Sequence, residues 1–169
     1  MMPAMDHRPA VVLVPSRHAE WTRRYAEMSR RIRELVPGAA VEHIGSTAVP
    51  GLPAKDVVDL LVGVEADTVV STARVLEGHG FDLEGERDHH CWLAWPCRRE
   101  RRYVIHVVEH GGRSWDRRVA FRDLLRADNA ARQAYLRVKQ DAARVARDWD
   151  DYTQAKTSVV AELLAAIDH

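Results

Sequence analysis

The sequence lacks a net charge, a long apolar run and all but two cysteines. Basic and acidic side chains number 25 each among the 169 residues, so no overall field attracts a polyanion, although a local basic patch could still bind phosphate. No apolar run approaches the roughly 20 residues of a membrane span, and the first ten residues lack the apolar centre of a signal peptide. We therefore expect a cytoplasmic protein that has neither a membrane nor nucleic acid as a partner.

The scarcity of cysteine excludes a disulfide framework. Cys91 and Cys97 stand in "CWLAWPC", too far apart in an extended chain to bridge each other. We expect both to be reduced and structural. The "DHHC" at 88–91 is a weak zinc pattern, because such a site needs more Cys or His at tight spacing.

The composition is typical of a globular protein. Hydrophobic residues make up 46% of the chain and charged residues 30%, and the length allows one domain over residues 1–169. The periodicity of apolar residues predicts strands over 11–14, 40–45, 56–64, 81–86, 91–96 and 102–109, and helices over 17–35, 66–79, 115–127, 130–147 and 152–167. This order indicates an α+β fold with a mixed β-sheet flanked by helices and a helical C-terminal third.

Three details of this order can be predicted further. Ser16 is the expected N-cap of the first helix. The segment 56–64, "DVVDLLVGV", is almost continuously apolar, which is typical of a strand covered on both faces. The last three predicted strands succeed one another through polar turns, so a meander is their simplest pairing.

The stretch "HIGSTAVPGLPAKDVVDLLV", residues 43–62, carries the most informative polar residues. Gly45 ends a predicted strand, and a turn at this point can present backbone N–H groups to an anion, with the hydroxyls of Ser46 and Thr47 as further donors. That is a phosphate site in outline. The alternative is that Gly45 only permits a tight turn and the two hydroxyls cap the next segment of the chain.

Asp59 lies in the middle of the apolar strand. In a strand it shares a face with Val57 and Leu61, where a carboxylate is costly to bury without a partner. We expect Asp59 to pair with a base, bind a metal or lie at the lip of a cleft; a hydrogen-bonded structural aspartate is the alternative. Lys55, four residues earlier, is placed to neutralise Asp59 or to hold a phosphate.

Together, a Gly-Ser turn, a loop and a strand aspartate resemble the signature of polymerase-beta-like nucleotidyltransferases. The stretch 43–62 resembles more closely the GrpB family, a branch of that superfamily. The resemblance covers the chain from about residue 11 to 167. It includes the motifs "IHVV" at 105–108, "FRDLLRA" at 121–127, "AYLRVK" at 134–139 and "YTQAK" at 152–156.

The resemblance implies a nucleotidyltransferase-like fold and a metal-dependent transfer of a nucleotidyl group. The donor would be an NTP, with ATP expected, and the acceptor a small molecule. Gly45, Ser46 and Thr47 would bind the phosphates. Asp59 would bind Mg²⁺ or Mn²⁺, with Zn²⁺ less favoured. Lys55 would be a catalytic residue that offsets negative charge.

The sequence departs from the superfamily pattern at Leu61, where a second acid is usual. One carboxylate is a poor Mg²⁺ site, since this ion prefers an octahedron of hard oxygens. Glu42, His106 and Glu109 are the candidates to complete it. His106 and His43 both belong to family-like motifs, and histidine ligands would suit a transition metal or Zn²⁺ better. A core histidine satisfied by a backbone carbonyl is the alternative for His106.

Two Tyr-x-x-x-Lys pairs mark the helical tail. Tyr135 with Lys139, and Tyr152 with Lys156, each share one helix face, because residues i and i+4 are neighbours. If these faces line the cleft, the two lysines and Arg122 could bind a triphosphate. The alternative is that the tyrosines are core, the lysines are solvated and Arg122 forms a surface ion pair.

Three functions remain open from the sequence. The first is a nucleotidyltransferase that requires Asp59. The second is a non-catalytic module that recognises a nucleotide, a CoA-like compound or another phosphorylated ligand through the Gly-Ser-Thr turn. A metal-dependent group-transfer enzyme with a different end product is the third.

Overall fold

A mixed sheet of five strands is the centre of the computed structural model, which describes residues 11–145 and 149–165, apart from several side chains in the last helix. The strands are β1 (Ala40–Ile44), β2 (Val58–Val64), β3 (Asp82–Arg87), β4 (His90–Trp95) and β5 (Tyr103–Glu109). Their order is β1-β2-β5-β4-β3. Only β2 and β5 pair in parallel, so the meander predicted for the last three strands is confirmed.

Five helices flank the sheet in the described part of the chain. They are α1 (His18–Leu35), α2 (Val69–Gly78), α3 (Arg113–Ala127), α4 (Asn129–Val145) and α5 (Trp149–Ala165). The α+β architecture with a helical C-terminal third is as predicted. None of the described helices is long and apolar enough to cross a membrane.

The predicted N-terminal elements differ from the structure. Residues 11–14 form only an isolated bridge, between Val14 and Ala54. The first helix begins at His18, and Arg17 at its N-cap position makes no side-chain capping bond. Ser16 is therefore not the N-cap, because the helix begins one residue later than the local pattern predicts.

One face of the sheet packs against α1 and α2. Every second residue of β2, namely Val58, Leu60 and Val62, is fully buried on this face. The helices contribute Trp21, Met28, Ile32, Val69, Ala73 and Leu76. This is the main core, and it results from the two-residue period of the strand against the stripes of the two helices.

The opposite face of the sheet is covered by α3. Its apolar cluster contains Ile44, Leu61, Val108, Trp115 and Val119. The indole of Trp115 lies over Gly63, where an added Cβ would be 2.7 Å from Cζ3 of the ring. The central strand is thus covered on both faces, as its apolar run predicts.

The loop after β1 is enclosed by α3 and α4. Its cluster contains Val49, Leu52, Phe121, Leu125, Ala131 and Tyr135. The apolar periodicity of the segments 115–127 and 130–147 predicts stripes that include Ala120 and Val145. Both predictions are wrong, since Ala120 is exposed and Val145 is 76% exposed. Arg122 and Lys139 are buried instead, because Arg122 bonds polar groups of β1 and Lys139 bonds the turn after it.

Candidate functional site

Gly45 brings the turn directly against Asp59. Its φ of +73° lies in the left-handed region, and an added Cβ would be 2.6 Å from Oδ2 of Asp59. A short 3-10 turn, Ser46–Ala48, comes at once after it. Glycine is needed here both for the backbone conformation and for the close approach of the carboxylate.

Lys139 of α4 reaches the same turn. Its Nζ donates to Oγ of Ser46 at 2.6 Å and to the carbonyl oxygen of Pro53 at 3.0 Å. The lysine is 1% exposed, so its ammonium group lies inside the protein and is held by oxygen atoms. A buried cation beside a hydroxyl-bearing turn favours an anion at this position.

These groups line one small pocket of about 40 Å³. A volume of this size holds roughly three water molecules, which suits the end of a phosphate chain and not a whole nucleotide. Every polar side chain of the lining belongs to a residue that the sequence predicts for the site. The lining is Gly45, Ser46, Thr47, Ala54, Lys55, Val57, Asp59, Tyr135 and Lys139.

Lys55 and the tyrosines of the tail flank this pocket. Nζ of Lys55 lies 4.7 Å from the centre of the Tyr152 ring, a cation–π contact. Tyr152 is fully buried, and Tyr135 packs edge-on against Phe121 with ring centres 5.2 Å apart. The side chain of Lys156 lies outside the described residues, so its predicted role in phosphate binding stays a prediction.

His43 lies behind the turn and stabilises it. Its Nε2 is 2.9 Å from Oγ1 of Thr47, and its ring stacks on Tyr25 with centres 4.8 Å apart. Burial lowers the pKa of His43 to about 4, against the opposing attraction of Asp59. His43 is therefore neutral at pH 7 and acts as a hydrogen-bonding support for Thr47.

A chain of polar side chains crosses three strands on the α3 face. Nε2 of His106 on β5 lies 3.9 Å from Oδ1 of Asp59 on β2. Nδ1 of the same ring lies 2.9 Å from Nε2 of His90 on β4. Burial lowers the pKa of His106, and Asp59 opposes that shift; burial and the neighbouring His106 lower the pKa of His90 to about 2. Both rings are neutral at pH 7.

Arg118 of α3 belongs to this group, although the sequence does not single it out. Burial lowers the pKa of its guanidinium group, while the charge of Asp59 opposes the shift. Its positive charge in turn contributes to the lowered pKa of both histidines. In the sequence nothing distinguishes Arg118 from its exposed neighbour Arg117, because only the docking of α3 on the sheet decides which one faces Asp59.

Glu42 and Glu109 do not complete a metal site with Asp59. Nη1 of Arg122 donates to Oε2 of Glu42 at 2.6 Å and to the carbonyl oxygen of His43 at 3.1 Å, so Glu42 and Arg122 clamp α3 to β1. Glu109 pairs with Val64, five residues along β2 from Asp59, or roughly 16 Å away. Within the described residues, no three His, Cys, Asp or Glu side chains form a group that could hold a metal ion.

Comparison with known protein families shows to which family this chain belongs. The family model described as "GrpB protein" matches residues 10–166. This chain belongs to the GrpB family. Over 144 residues it is 45% identical to a UPF0157 protein of Deinococcus radiodurans, a match that covers 85% of this chain and 76% of that protein.

Solved structures agree with this membership. The crystal structure of the conserved protein GrpB from Enterococcus faecalis superposes with a TM-score of 0.76 at 26% identity, covering 94% of this chain and 100% of that one. The Cid1 poly(U) polymerase, solved with MgGTP bound, gives a TM-score of 0.53 at 14% identity over 85% of this chain and 50% of the polymerase. The GrpB fold is therefore nucleotidyltransferase-like, as the opening motif predicts.

Proposed function

We propose that this protein is a metal-dependent nucleotidyltransferase-like enzyme that transfers a nucleotidyl group from an NTP to a small-molecule acceptor. The observation that carries the proposal is the meeting of Gly45, Asp59 and Lys139 at one pocket. The buried ammonium of Lys139 and the hydroxyl of Ser46 suit the terminal phosphates. ATP is the expected donor. That nucleic acid is not the acceptor stays a prediction, although Cid1 is by name a poly(U) polymerase.

Phosphate binding would use both lysines that line the pocket. Lys139 approaches the turn from α4, and Lys55 lines the same pocket from the loop before β2. Their charges would offset those of the phosphates beside Asp59. Thr47 adds a hydroxyl whose position is fixed by the buried, neutral His43. Arg122 would act indirectly, by holding the strand that carries the turn.

The reaction would be an in-line displacement at the α-phosphate. The oxygen of the acceptor hydroxyl forms a bond to the α-phosphorus while the bond from that phosphorus to the bridging oxygen breaks, and pyrophosphate leaves. The proton of the hydroxyl passes to the carboxylate of Asp59. A divalent metal, when bound, would neutralise charge on the phosphates and lower the pKa of the attacking hydroxyl.

A divalent ion at Asp59 would take most of its ligands from phosphate and water, because the described residues provide no group of three metal donors. Asp59 provides one carboxylate and His106 one imidazole nitrogen, 3.9 Å from it. Mg²⁺ and Mn²⁺ are commonly held by one or two protein ligands together with substrate phosphates. Because one of the two donors is nitrogen, we expect Mn²⁺ to bind at least as well as Mg²⁺.

One observation favours the second candidate function, a phospho-ligand-binding module without catalysis. The described residues provide no group of three metal donors, and Leu61 stands where a second acid is usual. Such a module would bind a nucleotide or a CoA-like compound through the turn. It would not depend on the charge of Asp59.

Calorimetry with two variants distinguishes the candidates. Each of the four NTPs is titrated with Mn²⁺ or Mg²⁺ into wild type, Asp59→Asn and Ser46→Ala, with exposed Asp67→Asn and Ser71→Ala as matched controls. The enzyme hypothesis predicts that both site variants lose at least about tenfold in affinity, and that phosphorus NMR detects pyrophosphate with a suitable hydroxyl acceptor. Loss in Ser46→Ala alone would favour the module. No binding of any NTP to wild type would contradict the enzyme hypothesis and leave only a module for a phosphorylated ligand that is not an NTP.

A further inference from the structure

Trp92 lies on the same face of the sheet as Asp59. On β5, His106 pairs with Trp92 of β4 and Val104 pairs with Asp59 of β2. Residues two apart on one strand point to the same face, so Trp92 and Asp59 share it. The apolar cluster under α3 takes its strand residues from β1, β2 and β5, and Trp92 beyond them is half-buried. Trp92 therefore offers an apolar surface beside the candidate site.

Gly85 of β3 makes room for the indole. It pairs with Trp92, and an added Cβ at this position would be 2.7 Å from Cε2 of the ring. The φ of Gly85 is not in the left-handed region, so the space over the residue requires glycine and its backbone does not. The indole thus extends over β3.

Polar side chains border the indole. The ring centre of His90 is 5.3 Å from that of Trp92, and Nε2 of His90 is 2.9 Å from Nδ1 of His106. Nε and Nη2 of Arg101 donate to the two carboxylate oxygens of Glu84, and these side chains are 18% and 10% exposed. Burial lowers the pKa of His106 and Glu84 opposes that shift, so the ion pair lies near this ring. An apolar surface with hydrogen-bonding groups around it suits a ligand whose own ring carries hydroxyl groups.

The charged groups on this face balance each other. Arg101 is paired with Glu84, and the positive charge of Arg118 lies near the negative charge of Asp59. Both histidines are neutral at pH 7, because burial lowers their pKa values. The two lysines that suit phosphate line the pocket at the turn instead. This face therefore favours an uncharged ligand over an anion.

The distance from Trp92 to Asp59 sets the length of such a ligand. The two residues are two strands apart and are staggered by two residues. At about 4.8 Å per strand and about 3.3 Å per residue, their Cα atoms are roughly 12 Å apart. Because the indole extends over β3, away from β2, a ligand that reaches both residues is about two linked rings long.

We propose that Trp92 and the polar side chains around it bind the acceptor, and that the acceptor is an uncharged compound of about two linked rings that carries hydroxyl groups. This site, the Trp92 surface, consists of Glu84, His90, Trp92, Arg101 and His106. One ring packs on the indole, and a hydroxyl at the far end of the compound faces Asp59. The oxygen of that hydroxyl forms the bond to the α-phosphorus, its proton passes to Asp59 and pyrophosphate leaves, so the inference rests on the proposed function. Disaccharides and nucleosides both have this chemistry.

The first test uses the wild-type protein without nucleotide or metal. A panel of uncharged disaccharides and nucleosides is added at millimolar concentration, and proton–nitrogen NMR follows the indole N–H signals. The Trp92 signal is assigned by its loss in Trp92→Phe. At least one compound should shift this signal and leave unchanged that of Trp21, which lies in the main core on the other face. The class of compound that shifts it shows whether the acceptor is a sugar or a nucleoside, and no shift with any compound would overturn the proposal.

The second test measures the Kd of the compound that shifts the Trp92 signal. Trp92→Leu removes the aromatic face and should raise this Kd at least about tenfold, while the Kd of the Mn²⁺–ATP complex should stay within about threefold of wild type. The matched control is Trp95→Leu, because Trp95 lies on the same strand but packs against the main core, and it should change neither Kd. An unchanged Kd for the compound in Trp92→Leu would overturn the proposal. Weaker binding of Mn²⁺–ATP in place of the compound would also overturn it, because the indole would then hold the base of the nucleotide.

The acceptor site and the proposed function fail through different measurements. Loss of NTP binding with intact, Trp92-dependent binding of the ring compound would reject only nucleotidyl transfer. Intact NTP binding with no effect of any ring compound on the Trp92 signal would reject only the Trp92 surface.

Discussion

At the scale of single residues, two glycines with similar φ angles have different neighbours. Gly45 and Gly51 have φ values of +73° and +77°. An added Cβ at Gly45 would meet Oδ2 of Asp59 at 2.6 Å, whereas at Gly51 nothing lies within 4 Å. The two positions therefore separate the cost of the left-handed backbone from the cost of disturbing Asp59.

We expect Gly45→Ala to lower both stability and ligand affinity. With a φ of +73° and a ψ of −173°, the backbone of Gly45 costs a residue with a Cβ about 1–3 kcal/mol, and the collision with Asp59 adds to that cost. The displaced carboxylate should also weaken Mn²⁺–NTP binding at least about tenfold. Urea unfolding and calorimetry measure the two effects.

The matched control for this substitution is Gly51→Ala. It should show the backbone cost alone and should bind the nucleotide like wild type. Equal losses of affinity in both variants would indicate that the contact between Gly45 and Asp59 has no bearing on the ligand.

At the scale of secondary structure, His43 joins three elements. It lies on β1, supports the turn through Thr47 and stacks on Tyr25 of α1. Because it is buried and its pKa falls to about 4 from 6.5, the unfolded chain binds more protons than the folded one between these values. Stability from this residue is thus complete above pH 6.5 and declines as the pH falls towards 4.

We expect the free energy of unfolding to depend on pH, and we expect His43→Gln to remove part of this dependence. The contribution of His43 should fall by roughly 3 kcal/mol between pH 7 and pH 4. Urea unfolding across this range, in wild type and variant, measures the difference in slope. The exposed His89→Gln should keep the wild-type slope. If the free energy of unfolding of His43→Gln had the same pH dependence as that of wild type, the protonation of His43 would not be coupled to folding.

Secondary structure can be predicted from the local sequence where the apolar period is strong. The continuous run of β2 and the stripe of α1 are recognisable because most of their buried partners belong to the apolar main core. The stripes of α3 and α4 are misleading at Ala120 and Val145. Buried positions on these helices are taken instead by Arg122, which bonds β1, and by Lys139, which bonds the turn after it. The spacing of apolar residues does not reveal a buried lysine or arginine. Only the tertiary contacts show which of these side chains is buried.

At the scale of the molecule, the site combines residues far apart in the chain. Ser46 and Lys139 are separated by 93 positions and His90 and His106 by 16. The motif at 43–62 predicts Gly45, Ser46 and Asp59 because they are local. It cannot predict His90 or Arg118, whose positions depend on the register of β4 against β5 and on the docking of α3.

Lys139 connects the C-terminal helices to this local motif. Its ammonium group is held by Ser46 and by the carbonyl oxygen of Pro53, so α4 is fastened to both ends of the loop after β1. Replacing Lys139 by Met keeps the length of the side chain and removes the donor. The oxygens left without it should cost about 1–3 kcal/mol of stability.

We expect Lys139→Met to loosen α4 against the sheet and to abolish nucleotide binding together. Hydrogen exchange should become faster in α4 and in the turn at 46–48 while β2 and β5 stay protected, because the main core lies on the other face of the sheet. Arg137→Met, an exposed substitution on the same helix, is the control and should change neither. If Lys139→Met bound the Mn²⁺–NTP complex as tightly as wild type, the buried ammonium would be a fastening for α4 and not part of a phosphate site.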